Sequence, residues 1–298
     1  MALATFNSFV RKGNPFQGTS LVSPAGRARP TFHLAARRIA ARGRPRLWSG
    51  YLGRVLGGVL VLLGLICCGG ATTDPVSSAR EAYDHAKLEN ISHQSDPTSA
   101  WKFARATFDL ADILPGNSER ARIAEEGIAA CHQALEHAPE CAPLHYYLGL
   151  NQGELARTKT LGALRLVDQM EREFTEAIKL DPLFDYAGAE RSLGLLYRDA
   201  PVLASIGSKS KARTHLQRAI ELAPGYPENR LNLVESDLKW GDRKGARRDL
   251  KPLEDGWSAA KAKFSGAQWA ASWEDWAARL DKVRKSLDEP ARLETPRH

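Results

Sequence analysis

The sequence predicts an all-α fold. It reads as a solenoid of stacked helix pairs with a capping C-terminal helix, preceded by a disordered basic N-terminus and one hydrophobic membrane or signal segment. Three observations lead there. From Pro75 onward apolar residues recur at helical spacing, and no run alternates as a half-buried strand would. Three stretches close alike, Ala134-Leu-Glu-His-Ala-Pro139, Ala177-Ile-Lys-Leu-Asp-Pro182 and Ala219-Ile-Glu-Leu-Ala-Pro224, with their prolines 43 and 42 residues apart. Before Asp74 there is no acidic residue at all.

That last asymmetry divides the chain. Its 298 residues carry a formal charge of +7, yet the first 73 hold ten basic residues, from Arg11 to Arg54, and no acid. The remainder has 32 basic against 35 acidic residues, a charge of −3. The basic isoelectric point belongs to the N-terminal segment, and the near-neutral remainder argues against nucleic-acid binding. Residues 1–50, rich in Arg, Ala, Gly, Pro and Ser, read as disordered or targeting sequence. An organellar transit peptide and a spurious upstream extension of the reading frame both fit 1–47.

Residues 51–72 form the next segment. Val55 to Ala71 is almost wholly apolar, and 17 residues is the short limit for a membrane span. Arg54 before it and Asp74 after it place the N-terminus on the cytoplasmic side. A cleaved signal is the rival, with Gly69 and Ala71 as small residues at a cleavage site. Ile66 before Cys67 makes a poor lipoprotein motif.

Residues 73–97 read as a linker and first helix, 98–288 as the repeat domain and 289–298 as a disordered tail. The pattern predicts helices near 76–90, 98–112, 118–137, 143–157, 161–180, 187–199, 209–222, 227–239, 243–255 and 267–287, separated by Pro, Gly and Asp signals. In each closing segment the alanine permits close helix packing and the proline stops the helix. The following helices carry Leu148-Gly149, Leu193-Gly194 and Leu233-Val234, where a small residue lets two helices approach. Gly245 is expected on an exposed face.

Trp101/Ala104/Phe108, Leu148/Gly149, Leu193/Gly194/Tyr197 and Leu233/Val234 mark first helices. Gly127/Cys131/Ala134, Met170/Phe174/Ala177, Ala212/Leu216/Ala219 and Ala246/Leu250/Leu253 mark second ones. In this the chain resembles the tetratricopeptide repeat (TPR) superfamily over roughly 98–256. The spacing of 42–43 exceeds the usual 34 or so, with extra residues at Leu114–Ser118, Leu155–Leu166 and Ala200–Ser208. Trp101-Lys-Phe-Ala-Arg-Ala106, and Leu193-Gly-Leu-Leu-Tyr197 followed by Ala200-Pro201, resemble a long-insert branch, the regulator of microtubule dynamics proteins and their bacterial counterparts. The resemblance implies a non-enzymatic protein. It also implies a concave groove lined by the first helices, presenting Tyr146, Leu150, Glu154, Arg191, Leu195, Arg198, Leu231, Glu235 and Leu238 to a protein or peptide partner. In a stack with long inserts, the same residues could instead fill the interior and leave no open groove.

The sequence holds no phosphate loop, no HExxH, no GxSxG and no CxxC, so no catalytic residue, cofactor or metal is expected. Cys131, His132, His137, Cys141 and His145 are five potential ligands, but Cys131 occupies a core position and adjacent His132 points elsewhere. Cys131 and Cys141 are expected as free thiols, with a single bridge as the alternative in an oxidising compartment. Trp269, Trp273 and Trp276 share one helical face, expected to seal the stack, with an aromatic partner anchor as the alternative. Lys239, Arg243, Lys244, Arg247, Arg248 and Lys251 read as a solvated face, or as a contact for an acidic surface.

The function expected is a membrane-anchored scaffold mediating protein–protein interaction, attached through residues 55–71. The alternatives are a periplasmic accessory component of a transport system and a microtubule or organelle-contact adaptor. The repeat domain is expected on the periplasmic side of a bacterial inner membrane, with a mitochondrial membrane as the other location.

Overall fold

A computed structural model describes residues 74–159 and 161–289. The expectations for the basic segment, the apolar run Val55–Ala71 and the tail from Pro290 lie outside those residues. The described chain folds as α1 (Pro75–Ser92), α2 (Pro97–Ile113), α3 (Asn117–Leu135), α4 (Ala142–Thr158), α5 (Ala163–Leu180) and α6 (Phe184–Asp199). It continues through α7 (Lys209–Leu222), α8 (Pro227–Lys239), α9 (Arg243–Asp255), α10 (Trp257–Lys263), a 3-10 turn (Ala267–Trp269) and α11 (Ala270–Asp288). Among the described residues there is no strand, and no helix long and apolar enough to cross a membrane.

Local chemistry sets these boundaries. Proline occupies the first turn of α1, α2, α4 and α8, where its missing N–H costs nothing. Asp96 caps α2 by accepting from the amides of Thr98 at 3.0 Å and Ser99 at 3.1 Å. Ser208 and Asp242 cap α7 and α9 in the same way. The long second insert is shorter than its sequence implies, because α4 runs on to Thr158 and α5 starts at Ala163 after a left-handed Gly162.

Each helix packs on its neighbours in the chain, and the first helices of successive pairs also pack on one another, α2 on α4, α4 on α6, α6 on α8 and α8 on α11. Their contacts rise together. Trp101 stacks on Tyr147, Asn151 donates to the Ala104 carbonyl and Arg157 reaches Asp112. Farther on, Arg191 meets Asn229 and Arg198 meets Ser236. The first helices therefore run parallel in one layer, and α3, α5, α7 and α9 form the other.

Glycines set the closeness of the layers. A Cβ on Gly149 would stand 2.7 Å from the Phe174 ring, and one on Gly194 2.8 Å from Leu216 Cγ. Phe174 and Leu216 are fully buried at matching places on the second helices. The Leu-Gly register is thus real packing. Gly245 corrects its expectation, because it is buried, and a Cβ there would meet the Asp242 carboxylate at 2.5 Å.

One apolar cluster runs from α2 to α8 around Leu144, Leu148, Met170, Phe174, Leu193, Leu196 and Leu216. A second joins α8 and α9 to the C-terminal helices through Tyr226, Leu231, Val234, Leu250, Phe264, Trp269, Trp276 and Leu280. The tryptophans do seal the stack: Trp269 and Trp276 are buried, and half-buried Trp273 donates its indole N–H to the Phe264 carbonyl at 2.6 Å. Trp269 ends the 3-10 turn instead of lying on α11, and the short α10 has no counterpart in the sequence reading. Helix α1 packs Tyr83 and Ala86 onto α2 and α3.

Gly194→Leu forces bulk into the α6–α7 contact and is expected to destabilise the chain by about 1–3 kcal/mol. Gly225→Leu, at an exposed turn with nothing within 4 Å of a Cβ, is expected to stay within about 0.5 kcal/mol of wild type. Urea midpoints of the two variants check this, and equal shifts would refute the register.

Candidate functional site

The first helices carry a layer of polar side chains that link one repeat to the next. Asn151 on α4 donates to the carbonyls of Ala104 at 2.7 Å and Tyr147 at 2.9 Å, and accepts from Thr107 at 2.9 Å. Gly127 on α3 makes room for that junction, since a Cβ there would overlap both Thr107 and Asn151. Arg157 bridges Asp112 at 2.8 Å and Glu154 at 2.7 Å. Burial, reinforced by nearby Asp112 and opposed by Arg157, pushes the Glu154 carboxyl up to about 7.

The next junction is stranger. Helix α6 begins with three consecutive non-glycine residues in the left-handed region, Asp185, Tyr186 and Ala187, with φ of 52°, 55° and 62°. Such residues cost roughly 1–2 kcal/mol each for L side chains, less for Asp. Surrounding contacts hold the turn. Arg191 donates to the Asp185 carboxylate at 3.0 Å, to Asn229 Oδ1 at 2.9 Å and to the Tyr186 carbonyl at 3.3 Å. Asn229 donates to that same carbonyl at 3.0 Å, and the Tyr146 hydroxyl donates to Asp185 at 2.9 Å. The Arg191 guanidinium also lies over the Tyr226 ring at 5.3 Å. Burial raises the Asp185 carboxyl above its ordinary range, against the pull of Arg191 and the Tyr146 hydroxyl.

At the C-terminal end, Arg279 of α11 makes a two-pronged contact with Glu235 at 2.8 and 2.9 Å and reaches Asn232 at 2.5 Å. This ties the cap to α8 with a geometry suited to guanidinium and carboxylate.

The nine residues expected to line a groove all lie on α4, α6 and α8. Tyr146, Leu150, Glu154, Arg191, Leu195 and Leu231 are buried, and Arg198, Glu235 and Leu238 are half-buried. None is exposed, and the charged members already hold intramolecular partners, with Arg198 on Asp199 at 2.7 Å. Sequence reasoning missed Asn151, Asp185, Asn229 and Arg279, which do most of the linking. The available signal was a lone polar residue inside an apolar helical stretch, as at Leu148-Gly-Leu-Asn151.

The other candidates have structural places. Cys131 and Cys141 are free thiols, and burial raises both above the usual thiol range. His132 and His137 are exposed. Among the described residues no group of three or more His, Cys, Asp or Glu is arranged to hold a metal ion. Within the basic run Arg243 donates to the Ser286 and Leu287 carbonyls at 2.9 Å, and Arg247 also reaches Leu287. These two arginines thus cap the end of α11, where the expectation was a solvated face.

His145 sits between α4 and α5. One ring nitrogen contacts Glu173 at 2.7 Å and the other the Pro139 carbonyl at 2.9 Å, so both act as donors when the ring is charged. The hydrogen bond to Glu173 raises the His145 pKa above its ordinary value.

Comparison with known proteins places the chain among related repeats. The family model "Regulator of microtubule dynamics protein 1-3" matches residues 72–194. Tetratricopeptide repeat protein 37 of Xenopus laevis is 31% identical over 132 residues, 44% of this chain. The chain spans only 8% of that relative's length. A solved structure, the human IFIT1 dimer with PPP-AAAA, shares 14% identity at a TM-score of 0.31, covering 70% of this chain and 58% of its own.

Two predictions test this layer. Arg191→Ala strands the buried Asp185 carboxylate and releases the left-handed turn, so a loss of about 3–5 kcal/mol is expected. Adding Asp185→Asn should recover part of it, and strict additivity in urea melts would deny the coupling. A raised folded pKa makes the His145 contribution fully present below the unfolded value near 6.5, and lost as pH rises through the folded value. Wild type should therefore lose stability over that window more than Glu173→Gln, a difference that urea melts between roughly pH 6 and 8 read directly.

Proposed function

We propose that this chain, whose TPR-like repeats resemble the regulator of microtubule dynamics proteins, is a non-enzymatic, membrane-anchored scaffold that docks a protein or peptide partner. The observation that carries the reading is the parallel layer of first helices α2, α4, α6 and α8, fixed from pair to pair by buried polar links. A layer held that rigidly presents side chains in one geometry, so little ordering entropy is lost on binding. Half-buried Glu235 and Leu238 are the members of the expected lining nearest to solvent, and they give the partner site its accessible end, whereas the Arg198 side chain is held against Asp199. Tyr146, Leu150, Glu154, Arg191, Leu195 and Leu231 support that surface from beneath.

Attachment through Val55–Ala71 follows from the sequence, by length, apolarity and the flanking Arg54 and Asp74. That orientation puts the repeats across the membrane from the basic N-terminus, on the periplasmic side of a bacterial inner membrane or at a mitochondrial membrane. The family description matched over 72–194 favours, as a second reading, an adaptor at microtubules or organelle contacts. A transport-system accessory remains the periplasmic version of the first.

Leu60→Arg with Leu63→Arg should cost about 2.5–3.5 kcal/mol per residue of insertion energy and move the full chain from the membrane pellet to the supernatant. Retention in the pellet would refute the anchor. For the scaffold, photocrosslinking residues placed at Glu235 and Leu238 should capture a partner protein, whereas those at exposed Arg172 and Arg218 on α5 and α7 should not. Equal capture from both layers would refute the assigned face.

A further inference from the structure

Because the first helices run parallel, their C-terminal ends lie along one edge of the stack, and the connections α2–α3, α4–α5 and α6–α7 all project there. Five of the eight exposed large hydrophobic side chains of the described residues gather at that edge: Ile113, Leu161, Leu164, Val202 and Leu203. Leu161 is 88% exposed, Val202 71% and Leu203 fully so. The opposite edge carries the other three, Leu183 in the α5–α6 connection and Leu88 and Ile91 at the end of α1. Scattered exposed leucines need no explanation, but a row repeated in three successive connections does.

These tips are built. In the α6–α7 connection Ile206 packs on the core, the Ser208 amide donates to the Tyr197 carbonyl at 2.8 Å and the Ser205 amide to Pro201 at 3.0 Å. A Cβ on Gly207 would overlap the Ala200 carbonyl. The loop is pinned at its base, yet Val202 and Leu203 remain exposed. Around the tips stand exposed Lys159, Arg165, Lys209 and Lys211. Three acids near the edge are paired, Glu119 with Arg80, Glu125 with Lys159 and Asp242 with Arg213, while Asp74 and Asp168 are exposed.

The first helix also starts at this edge. Arg80 pairs with Glu119, and Tyr83 and Lys87 with Glu126, so α1 runs parallel to α3. The start of α3 follows the α2–α3 connection at this edge, so Pro75 lies at the same edge. Only three residues lie between Ala71 and Pro75, four steps of chain with a reach of at most about 14 Å.

We propose that this edge is a membrane-contacting surface: Leu161, Leu164, Val202 and Leu203 enter the headgroup boundary of an anionic bilayer while Lys159, Arg165, Lys209 and Lys211 meet its phosphates. Apolar tips ringed by lysine and arginine are the chemistry of interfacial insertion. A row of separate convex tips suits a flat fluid surface better than a concave protein groove. The assignment rests on the anchor reading for its geometry, and the test separates the two.

The full chain is reconstituted into phosphatidylcholine vesicles containing phosphatidylserine and a photoactivatable acyl-chain phospholipid, and lipid adducts are mapped after irradiation. Adducts are expected within 55–71, 159–164 and 200–205, and not within 136–141 or 223–226, which lie a helix length of about 25 Å away. Leu161→Glu with Leu203→Glu should lower the yield at 159–164 and 200–205 by roughly tenfold or more, as each withdrawn leucine loses its transfer free energy. Both sites are exposed, so an unchanged helical circular dichroism spectrum is expected and confirms folding. Adducts confined to 55–71 overturn the edge and leave the anchor standing. Adducts at 159–164 and 200–205 without 55–71 support the edge and remove the anchor. Equal adducts at both edges, tips that crosslink instead to a second copy of the chain, or no adducts at all overturn the edge.

Discussion

The buried pair of Arg191 and Asp185 is the contact on which the rest of the stack depends. It sits where the larger apolar cluster of α2–α8 gives way to the capping cluster of α8–α11, and one guanidinium serves both sides. It neutralises Asp185, takes up a carbonyl of the left-handed turn, reaches Asn229 on α8 and covers the Tyr226 ring. A turn through three left-handed residues is unfavourable by itself, and its carbonyls would be costly to bury unpaired. Arg191 answers both difficulties and, in doing so, fixes how α8 follows α6.

The same logic recurs along the layer with different residues. Asn151 joins α4 to α2, Arg157 joins α4 to Asp112, and Arg279 joins the cap to α8. Polar links of this kind tolerate little displacement, because a buried donor left without its acceptor costs more than the bond gives. They therefore specify the stagger between repeats, while the glycine contacts at Gly149 and Gly194 specify the distance between layers. A rigid first-helix layer, and an edge where the α4–α5 and α6–α7 connections lie together, follow from that stagger.

Much of this was legible. Helix periodicity placed ten of the helices within a few residues, and the repeated alanine–proline closings announced the stack. Leu193-Gly194 is readable because a glycine inside a helix is unfavourable unless something must come close. The tryptophan face at Trp269, Trp273 and Trp276 declared a burial, and Trp276 is indeed among the largest fully buried side chains. Gly245 misled for the converse reason: its basic neighbours imitate a solvated helix, whereas Arg243 and Arg247 spend their donors on the end of α11 forty residues away.

By itself, the sequence determined the helices, their order, the repeat register and the segregation of positive charge before Asp74. These are local properties, set by period, capping and composition along the chain. Only the tertiary structure decided that Tyr146, Leu150, Glu154, Arg191, Leu195 and Leu231 are buried, that Asp185 lies in a left-handed turn, and that Leu161, Leu164, Val202 and Leu203 share an edge with the start of α1. A polar residue on a helix has the same local signature whether it faces water or a guanidinium about forty residues away. The difference arises only when parallel first helices bring Asn151 to Ala104, Arg191 to Asn229 and Arg279 to Glu235.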